Sequence, residues 1–261
     1  MKLENARILL TGATGGLGRE LARQLAASGA AVLLAGRDAA RLEALRASLG
    51  ARASLVVADL TRAEGVALMT RAAQDFGVNV LINYAVTSAF GMLENQPWPT
   101  IEEVLATSLE APIHLTHALL PWLKAQPQAA IVNVGSTFGS LPFAGFAAYS
   151  AAKAGLRAFS QALRRELADT LVAVVHIVPR AIDTPMNTDA VTALNRALHS
   201  QSDSAADVAG EIVAALVRNA RELHIGFPER FFAWLNGFAP GVIDRGLAGK
   251  LPIVKLHANS R

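Results

Sequence analysis

The chain has 261 residues, 52% hydrophobic and 17% charged, which suffices for one large domain with its own core. It has no cysteine, which excludes a disulfide framework, a thiolate nucleophile and any Cys-based metal site. The formal net charge is +3 and the arginines are scattered (Arg19, Arg37, Arg41, Arg46, Arg52), so nucleic acid is not an expected partner.

Lys2, Glu4 and Arg7 interrupt the amino terminus, and the apolar run that follows is too short for a signal peptide. No apolar run reaches the roughly 18 residues of a membrane span, and a cytoplasmic protein is expected. A short apolar strand over residues 6–10 runs into Thr11-Gly12-Ala13-Thr14-Gly15-Gly16-Leu17-Gly18, after which Leu17, Leu21 and Leu25 recur at helical spacing up to Gly29. Strand, glycine turn and helix in this order suit a dinucleotide. The glycines allow a tight turn and close approach of backbone to a pyrophosphate, and the amides at the helix start face the anion.

A second strand, residues 31–35, leads to Gly36-Arg37. A free ribose 2′-hydroxyl is usually met here by Asp or Glu, and a 2′-phosphate by Arg, so Arg37 favours NADP(H) over NAD(H). Asp38 caps a helix carrying Leu42, Leu45 and Leu49, with Gly50 after it. A third strand, 54–58, delivers Asp59-Leu60, and Thr61 with Glu64 reads as a capping box for a helix ending near Gly77. The fourth strand is 80–84. Thr100 with Glu103 caps a long helix reaching about Gln126, bent at Pro112.

The fifth strand, 130–134, is followed by Gly135-Ser136, and a helix then carries Tyr149-Ser150-Ala151-Ala152-Lys153. A phenol and an ammonium four residues apart share one helix face. An adjacent cation favours the phenolate and pulls a pKa of about 10 toward neutrality, which suits proton transfer at a carbonyl or alcohol oxygen. Small and apolar flanks, then Leu156, Phe159, Leu163 and Leu167, mark this face as buried. A sixth strand (172–178), a helix from about Ser204 to Asn219 and a seventh strand (223–227) follow. Alternating strands and helices give an α/β, Rossmann-type doubly wound domain: a parallel sheet of about seven strands, helices on both faces, and ligands at the carboxyl ends of the strands.

From about Arg7 to Phe227 the chain resembles the short-chain dehydrogenase/reductases. The resemblance is carried by Thr11-Gly12 with Gly16 and Gly18, by Asp59, Asn83, Ser136, Tyr149 with Lys153, Pro179 and Thr184; Ser136 precedes Tyr149 by 13 residues. It implies Tyr149 as general acid or base and Lys153 as the residue that holds the nicotinamide ribose and lowers the tyrosine pKa. Ser136 would hydrogen-bond the substrate oxygen. Cofactor contacts would come from Gly12, Thr14, Gly16, Leu17, Gly18, Arg37, Asp59 (against the adenine), Leu60, Asn83, Ala85, Tyr149, Lys153, Pro179, Ile182 and Thr184 (at the carboxamide). A homodimer or homotetramer through the long helix and the Tyr149 helix is expected from the same resemblance.

Three positions depart from the family pattern. Asn83-Tyr84-Ala85-Val86 stands for Asn-Asn-Ala-Gly, Pro179-Arg180 for Pro-Gly, and Ser108 for an Asn that holds a proton-relay water. Ser108 is still expected to serve the relay. Arg180 is open to two readings, an acidic substrate group or solvent. Val86, Phe90, Phe138, Leu141, Phe143 and Met186 suggest an apolar pocket, so the expected activity is interconversion of an apolar ketone or aldehyde with its alcohol.

No third ligand completes a metal site with His114 and His117, and His176 reads as a satisfied core residue. Tyr84 and Trp122 read as packing. Residues 1–228 form the expected catalytic domain. Residues 229–261 form an apolar tail, with Phe231, Phe232, Leu235 and Phe238 expected on the body near the substrate entrance. An oligomer contact and a membrane-surface segment are the other readings of that tail. The departures also leave room for a cofactor-binding sensor or scaffold with little catalysis.

Overall fold

In the computed structural model, which describes residues 1–258, strand β1 (Arg7–Thr11) shows why the chain folds in layers. Its Ile8 and Leu10 point to one side of the sheet and Leu9 to the other, all fully buried, because successive side chains alternate across a strand. A strand buried on both faces reads as an unbroken apolar run and needs helices above and below it.

The elements after β1 alternate: α1 (Gly16–Ala27), β2 (Ala31–Gly36), α2 (Ala39–Leu49), β3 (Ala53–Val57), α3 (Ala63–Phe76) and β4 (Val80–Asn83). Then come α4 (Trp98–Leu105), α5 (Ala111–Lys124), β5 (Ala129–Val134), α6 (Ala147–Glu166), β6 (Val172–Val178), α7 (Asp189–Ala197), α8 (Ala205–Arg218) and β7 (Glu222–His224). Among the described residues the strands form one seven-stranded parallel sheet in the order β3-β2-β1-β4-β5-β6-β7. One face is covered by α1, α2 and α8 through Leu17, Leu21, Leu42, Ile212 and Leu216. The other is covered by α3, α5 and α6 through Val66, Met69, Leu115, Leu119 and Leu163. The strand order reverses between β1 and β4, which opens a crevice at their carboxyl ends.

Local expectations hold at several helix ends. Asp38 accepts from the Arg41 amide at 3.0 Å, and Ser204 accepts from the Asp207 amide at 3.1 Å. The Thr61/Glu64 capping box does not form. Both the amide and the hydroxyl of Thr61 turn back to Asp59 Oδ1, at 2.9 and 2.8 Å, and Arg62 occupies the cap position of α3. Thr100 does not cap the long helix either, since α4 begins at Trp98 with Pro99 in its first turn, where a missing N–H costs nothing. That helix is broken by a π-type turn, Ala106–Glu110, just before Pro112, which has no N–H to return to the carbonyl of Ser108.

Beyond β7 the expected apolar tail forms three helices among the described residues, α9 (Glu229–Phe238), α10 (Pro240–Ala248) and α11 (Leu251–Ala258). The strand stops short of Phe227 because Gly226 takes a φ of +100°, in the left-handed region. Positions 259–261 of the tail lie outside the described residues.

Five buried polar side chains, Asn83, Thr116, Asn133, Ser160 and His176, form one hydrogen-bonded network across the sheet. Asn83 Nδ2 donates to Thr116 Oγ1 (3.1 Å) and Asn133 Oδ1 (2.8 Å), and Asn133 Nδ2 donates to Ser160 Oγ (2.9 Å). Ser160 gives its only proton to the Leu156 carbonyl at 2.7 Å, so its contact with His176 Nδ1 at 3.1 Å makes the imidazole the donor. Burial keeps that ring neutral and pushes its pKa down to about 3. Replacing Asn133 with Leu strips Asn83 of an acceptor and Ser160 of a donor. A buried unsatisfied group costs about 1–3 kcal/mol. Calorimetry on Asn133→Leu is expected to show a melting temperature lower by several degrees, at roughly 2–4 °C per kcal/mol for a domain of this size. An unchanged value would mean the network carries no stability.

Candidate functional site

Thr11, the last residue of β1, closes the crevice from below. Its hydroxyl accepts the amides of Tyr84 (2.9 Å) and Ala85 (3.0 Å) and donates to the Ile82 carbonyl (3.3 Å), tying the end of β4 to the end of β1. Gly12 then turns at φ +68°, and a Cβ there would lie 2.9 Å from the Ala85 Cα. A Cβ on Gly18 would sit 2.2 Å from the Gly12 carbonyl oxygen, so α1 can start this close to the turn only with glycine. The first-turn amides of α1 have no acceptor within their helix and carry its positive dipole end.

Thr14, Gly16, Arg37, Asp59, Leu60 and Ala85 stand around this crevice by their place in the sheet. Arg37 follows the end of β2, and Asp59 follows the end of the neighbouring β3. The Thr61 amide holds the Asp59 carboxyl below the usual range, with Thr61 hydroxyl and Arg37 and Arg62 charges adding to it against burial. Arg37 is exposed and reaches only a long, 3.9 Å contact with Glu103, so its guanidinium is available to a ligand.

A cavity of about 1050 Å³ opens beside the crevice. Ser136, Tyr149, Lys153, Pro179, Ile182 and Thr184 all line it, as do the six apolar side chains expected from the sequence, Val86, Phe90, Phe138, Leu141, Phe143 and Met186. The Phe138 amide donates to Ser136 Oγ at 3.2 Å, and the Ser136 hydroxyl faces the Tyr149 phenol and favours its ionised form. Lys153 is buried; its Nζ donates to the Val134 carbonyl at 2.9 Å and lies 5.8 Å from the centre of the Tyr149 ring. That carbonyl is its one protein acceptor among the described residues, which leaves two N–H groups for a ligand. Burial pushes the ammonium down to about 7.

The expected lowering of Tyr149 by Lys153 is not what the ligand-free protein has. Burial pushes the phenol up to about 12, and the Ser136 hydroxyl offsets only part of this. Desolvation disfavours both charged forms, phenolate and ammonium, in the same pocket.

Three expected site residues turn their side chains away from both the crevice and the cavity. Ser108 is fully buried and its hydroxyl is committed to Thr87, donating to the carbonyl (2.9 Å) and accepting from the amide (3.3 Å), so it pins the loop after β4 rather than reaching Lys153. Asn83 turns into the sheet network. Leu17 is core, leaving only its backbone amide, which hydrogen-bonds the Tyr84 hydroxyl.

Tyr84 is more than packing. It lines the cavity, its ring would lie 3.6 Å from a Cβ on Gly15, and its phenol is raised further than that of Tyr149, mainly by burial. A ligand seated on the Leu17 amide must exchange for this hydroxyl.

Arg180 takes neither expected path. Its guanidinium forms a two-point pair with Asp203 (2.6 and 2.9 Å), contacts Gln201 (2.7 Å) and approaches Glu229 at 3.6 Å, joining the loop after β6 to α9. Sequence spacing carried no sign of this, since the partners lie 21 and more residues away. The tail helices cover the cavity with Phe232, Leu235, Val242, Ile243 and Leu247, and Asn236 anchors α9 to the Ser140 carbonyl at 3.0 Å. Phe231 and Phe238, expected on the body, face outward instead. Among the described residues no group of His, Asp or Glu is placed to hold a metal, and no helix is long and apolar enough to cross a membrane.

A reversed parallel sheet with a glycine turn at the switch point and a Ser–Tyr–Lys cluster over an apolar cavity defines a Rossmann-type oxidoreductase. The chain belongs to the short-chain dehydrogenase family, whose model matches residues 6–195. It is 34% identical to dehydrogenase/reductase SDR family member 7B of Bos taurus, over 95% of this chain and 82% of that protein. Among solved structures it is similar to 3-ketoacyl-(acyl-carrier-protein) reductase from Brucella melitensis complexed with NADH, with 25% identity, a TM-score of 0.79, and 87% and 99% of the two chains covered. It is also similar to the closed form of serine dehydrogenase complexed with NADP+, with 26% identity, a TM-score of 0.76, and 84% and 93% covered.

The buried ammonium yields a prediction about stability. In the folded protein Lys153 has a pKa of about 7, against about 10.4 in an unfolded chain. Between those values the unfolded state binds more protons, so this group makes stability rise with pH across the window. Lys153→Met is therefore expected to stabilise the ligand-free protein near pH 7, by on the order of 1–3 kcal/mol, with the gain shrinking toward pH 10. Thermal melts of both proteins across that range test it.

Proposed function

We propose that the protein is an NADPH-dependent oxidoreductase that interconverts an apolar ketone or aldehyde and its alcohol. The observation that carries this is the Ser136 and Tyr149 hydroxyl pair lining one apolar cavity with the buried Lys153 ammonium. The nicotinamide cofactor supplies or takes up the hydride. First-turn amides of α1 would hold its pyrophosphate, the free N–H groups of Lys153 would take its ribose hydroxyls, and Thr184 would take its carboxamide. These donors fit a polyanion carrying hydroxyl groups.

At neutral pH Tyr149 carries its proton, with a pKa near 12. That is the form needed to protonate an oxygen that turns negative as a carbonyl is reduced, since an alkoxide is far more basic than a phenolate. Ser136 shares the same oxygen and stabilises the developing charge. With a ligand on Lys153 favouring its ammonium, that cation then opposes the burial that raises Tyr149, which suits the reverse reaction. Tyr149 is the acid or base, Ser136 the oxyanion donor, and Lys153 holds ribose and tunes the phenol. Ser108 acts as a positioning residue for the loop after β4.

The likeness to proteins solved with NADH and with NADP+ leaves the choice of cofactor to this chain's own residues. Gly36-Arg37 supports NADPH, because Arg37 is an exposed, nearly unpaired guanidinium at the end of β2, where a 2′-phosphate would sit. Assembly as a homodimer or homotetramer through α5 and α6, in the cytoplasm, belongs to the same reading.

Tyr149→Phe keeps the ring and is expected to lower turnover by roughly 10²–10⁴ while NADPH affinity changes little. Ser136→Ala should also act mainly on turnover. Assays against a broad carbonyl panel, with cofactor titrated separately, test both. Undiminished activity in Tyr149→Phe would remove the tyrosine from the mechanism.

Arg37→Asp is expected to weaken NADPH by roughly 10- to 100-fold, the equivalent of about 1.5–3 kcal/mol for a charge-assisted contact, and to improve NADH. A wild-type preference for NADH in fluorescence titrations would overturn this assignment.

A further inference from the structure

The tail helices have two apolar faces, and only one is used by the cavity. Phe227, two residues before α9, is 74% exposed, and on α9 itself Phe231, Trp234 and Phe238 are 47%, 59% and 79% exposed, at the three- and four-residue spacing of one helix face flanked by exposed Arg230. Their rings are in contact, Phe231 with Trp234 at 6.0 Å between centroids and Trp234 with Phe238 at 5.3 Å. The orientation of α9 is fixed by Ala233 in the interior, by Asn236 on Ser140 and by Glu229 turned toward Arg180. The aromatic face therefore points outward by construction.

This face continues into the cavity. Phe231 meets Phe232 at 5.7 Å, and Phe232 lines the cavity together with Val242 of α10, which is itself exposed. An unbroken run of rings leads from the surface to the Ser136–Tyr149 pair's chamber.

Charge indicates what covers the face. Among described residues 227–258 the exposed charges are Arg230, Arg245, Lys250 and Lys255 against Asp244, with Glu229 held inward by Arg180. A second copy seated on the same face by two-fold symmetry would offer these cations only Asp244 as an exposed opposite charge from this segment. An anionic lipid surface matches them, and Trp and Phe insert at the headgroup level beside such cations.

We propose that the outer face of α9, with α10, docks on an anionic lipid surface, so that apolar ligand passes from the bilayer into the cavity along Phe238, Trp234, Phe231 and Phe232. Docking does not depend on the activity assigned above, and its test uses neither cofactor nor substrate.

Full-length protein is spun with vesicles of phosphatidylcholine containing phosphatidylserine, and with vesicles of phosphatidylcholine alone. Wild type is expected to pellet with the first, and about tenfold less with the second or in high salt. The combined variant Phe231→Ser, Trp234→Ser, Phe238→Ser should lose at least about tenfold in binding while still unfolding cooperatively, since none of these side chains is buried in the core. Should that variant misfold, Arg230→Glu with Arg245→Glu keeps the rings and is expected to lose binding to the anionic vesicles selectively. Wild type that stays in the supernatant with the anionic vesicles overturns the proposal. So does folded serine variant that pellets as wild type does, or light scattering that shows a wild-type dimer becoming a monomer in that variant, which would make a second copy the occupant.

Discussion

An ammonium buried against a single carbonyl is the constraint around which this molecule is arranged. Lys153 has exchanged water for the Val134 oxygen, and one hydrogen bond does not compensate a desolvated charge. The protein holds the group there because α6 cannot move: its Leu156 and Leu163 are sunk in the core on either side of Ser160, which is bonded into the sheet. The cost of the cation is thus met by packing elsewhere on the same helix, and the two N–H groups left over face a chamber where a ligand can use them. Stability and site chemistry oppose each other at this residue.

The sheet gives that arrangement its precision. Asn133 precedes Val134 in β5 and is bonded to Asn83 in β4 and Ser160 in α6, so the strand end that offers the carbonyl to Lys153 is fixed from both sides. Ser136, two residues further on, inherits this position and is fixed again by the Phe138 amide. On the other side of the crevice Thr11 does the same for β4 with three bonds through one hydroxyl. Both devices satisfy every polar group they bury, the condition under which a polar network stiffens a core instead of weakening it.

What was legible in the sequence was local. The strand, glycine turn and helix at residues 6–29, the Asp38 cap, the helix start near Ser204, and the Tyr149/Lys153 face rest on spacings within one element, and the apolar wall residues follow strand ends where such folds place ligands. What was not legible depended on partners far along the chain. Arg180 read as a substrate or solvent residue because Asp203 and Glu229 come near it only through the folding of the loop after β6 and of α9. Ser108 looked like a relay hydroxyl until Thr87 took both its donor and acceptor roles. Thr61 carried the correct residues for a capping box, but Asp59 sits closer and is the stronger acceptor. The lowered tyrosine pKa failed for a different reason: spacing reports proximity of charge but not desolvation, and in the ligand-free cavity desolvation is the larger effect.

The tail shows the same division at the scale of a whole segment. Its composition announced apolar helices but not how many faces they would bury. Phe232, Leu235, Val242, Ile243 and Leu247 close a cavity that the sheet and α6 alone would leave open to water, and excluding water there strengthens every electrostatic interaction of Ser136, Tyr149 and Lys153. A helix lying over an opening has little depth beneath it, so α9 and α10 bury only Ala233 and Ile243, and α9 leaves Phe231, Trp234 and Phe238 turned outward. The outward aromatic face is therefore the geometric complement of the lid: a cover thin enough to border the chamber on one side must meet its surroundings with the other.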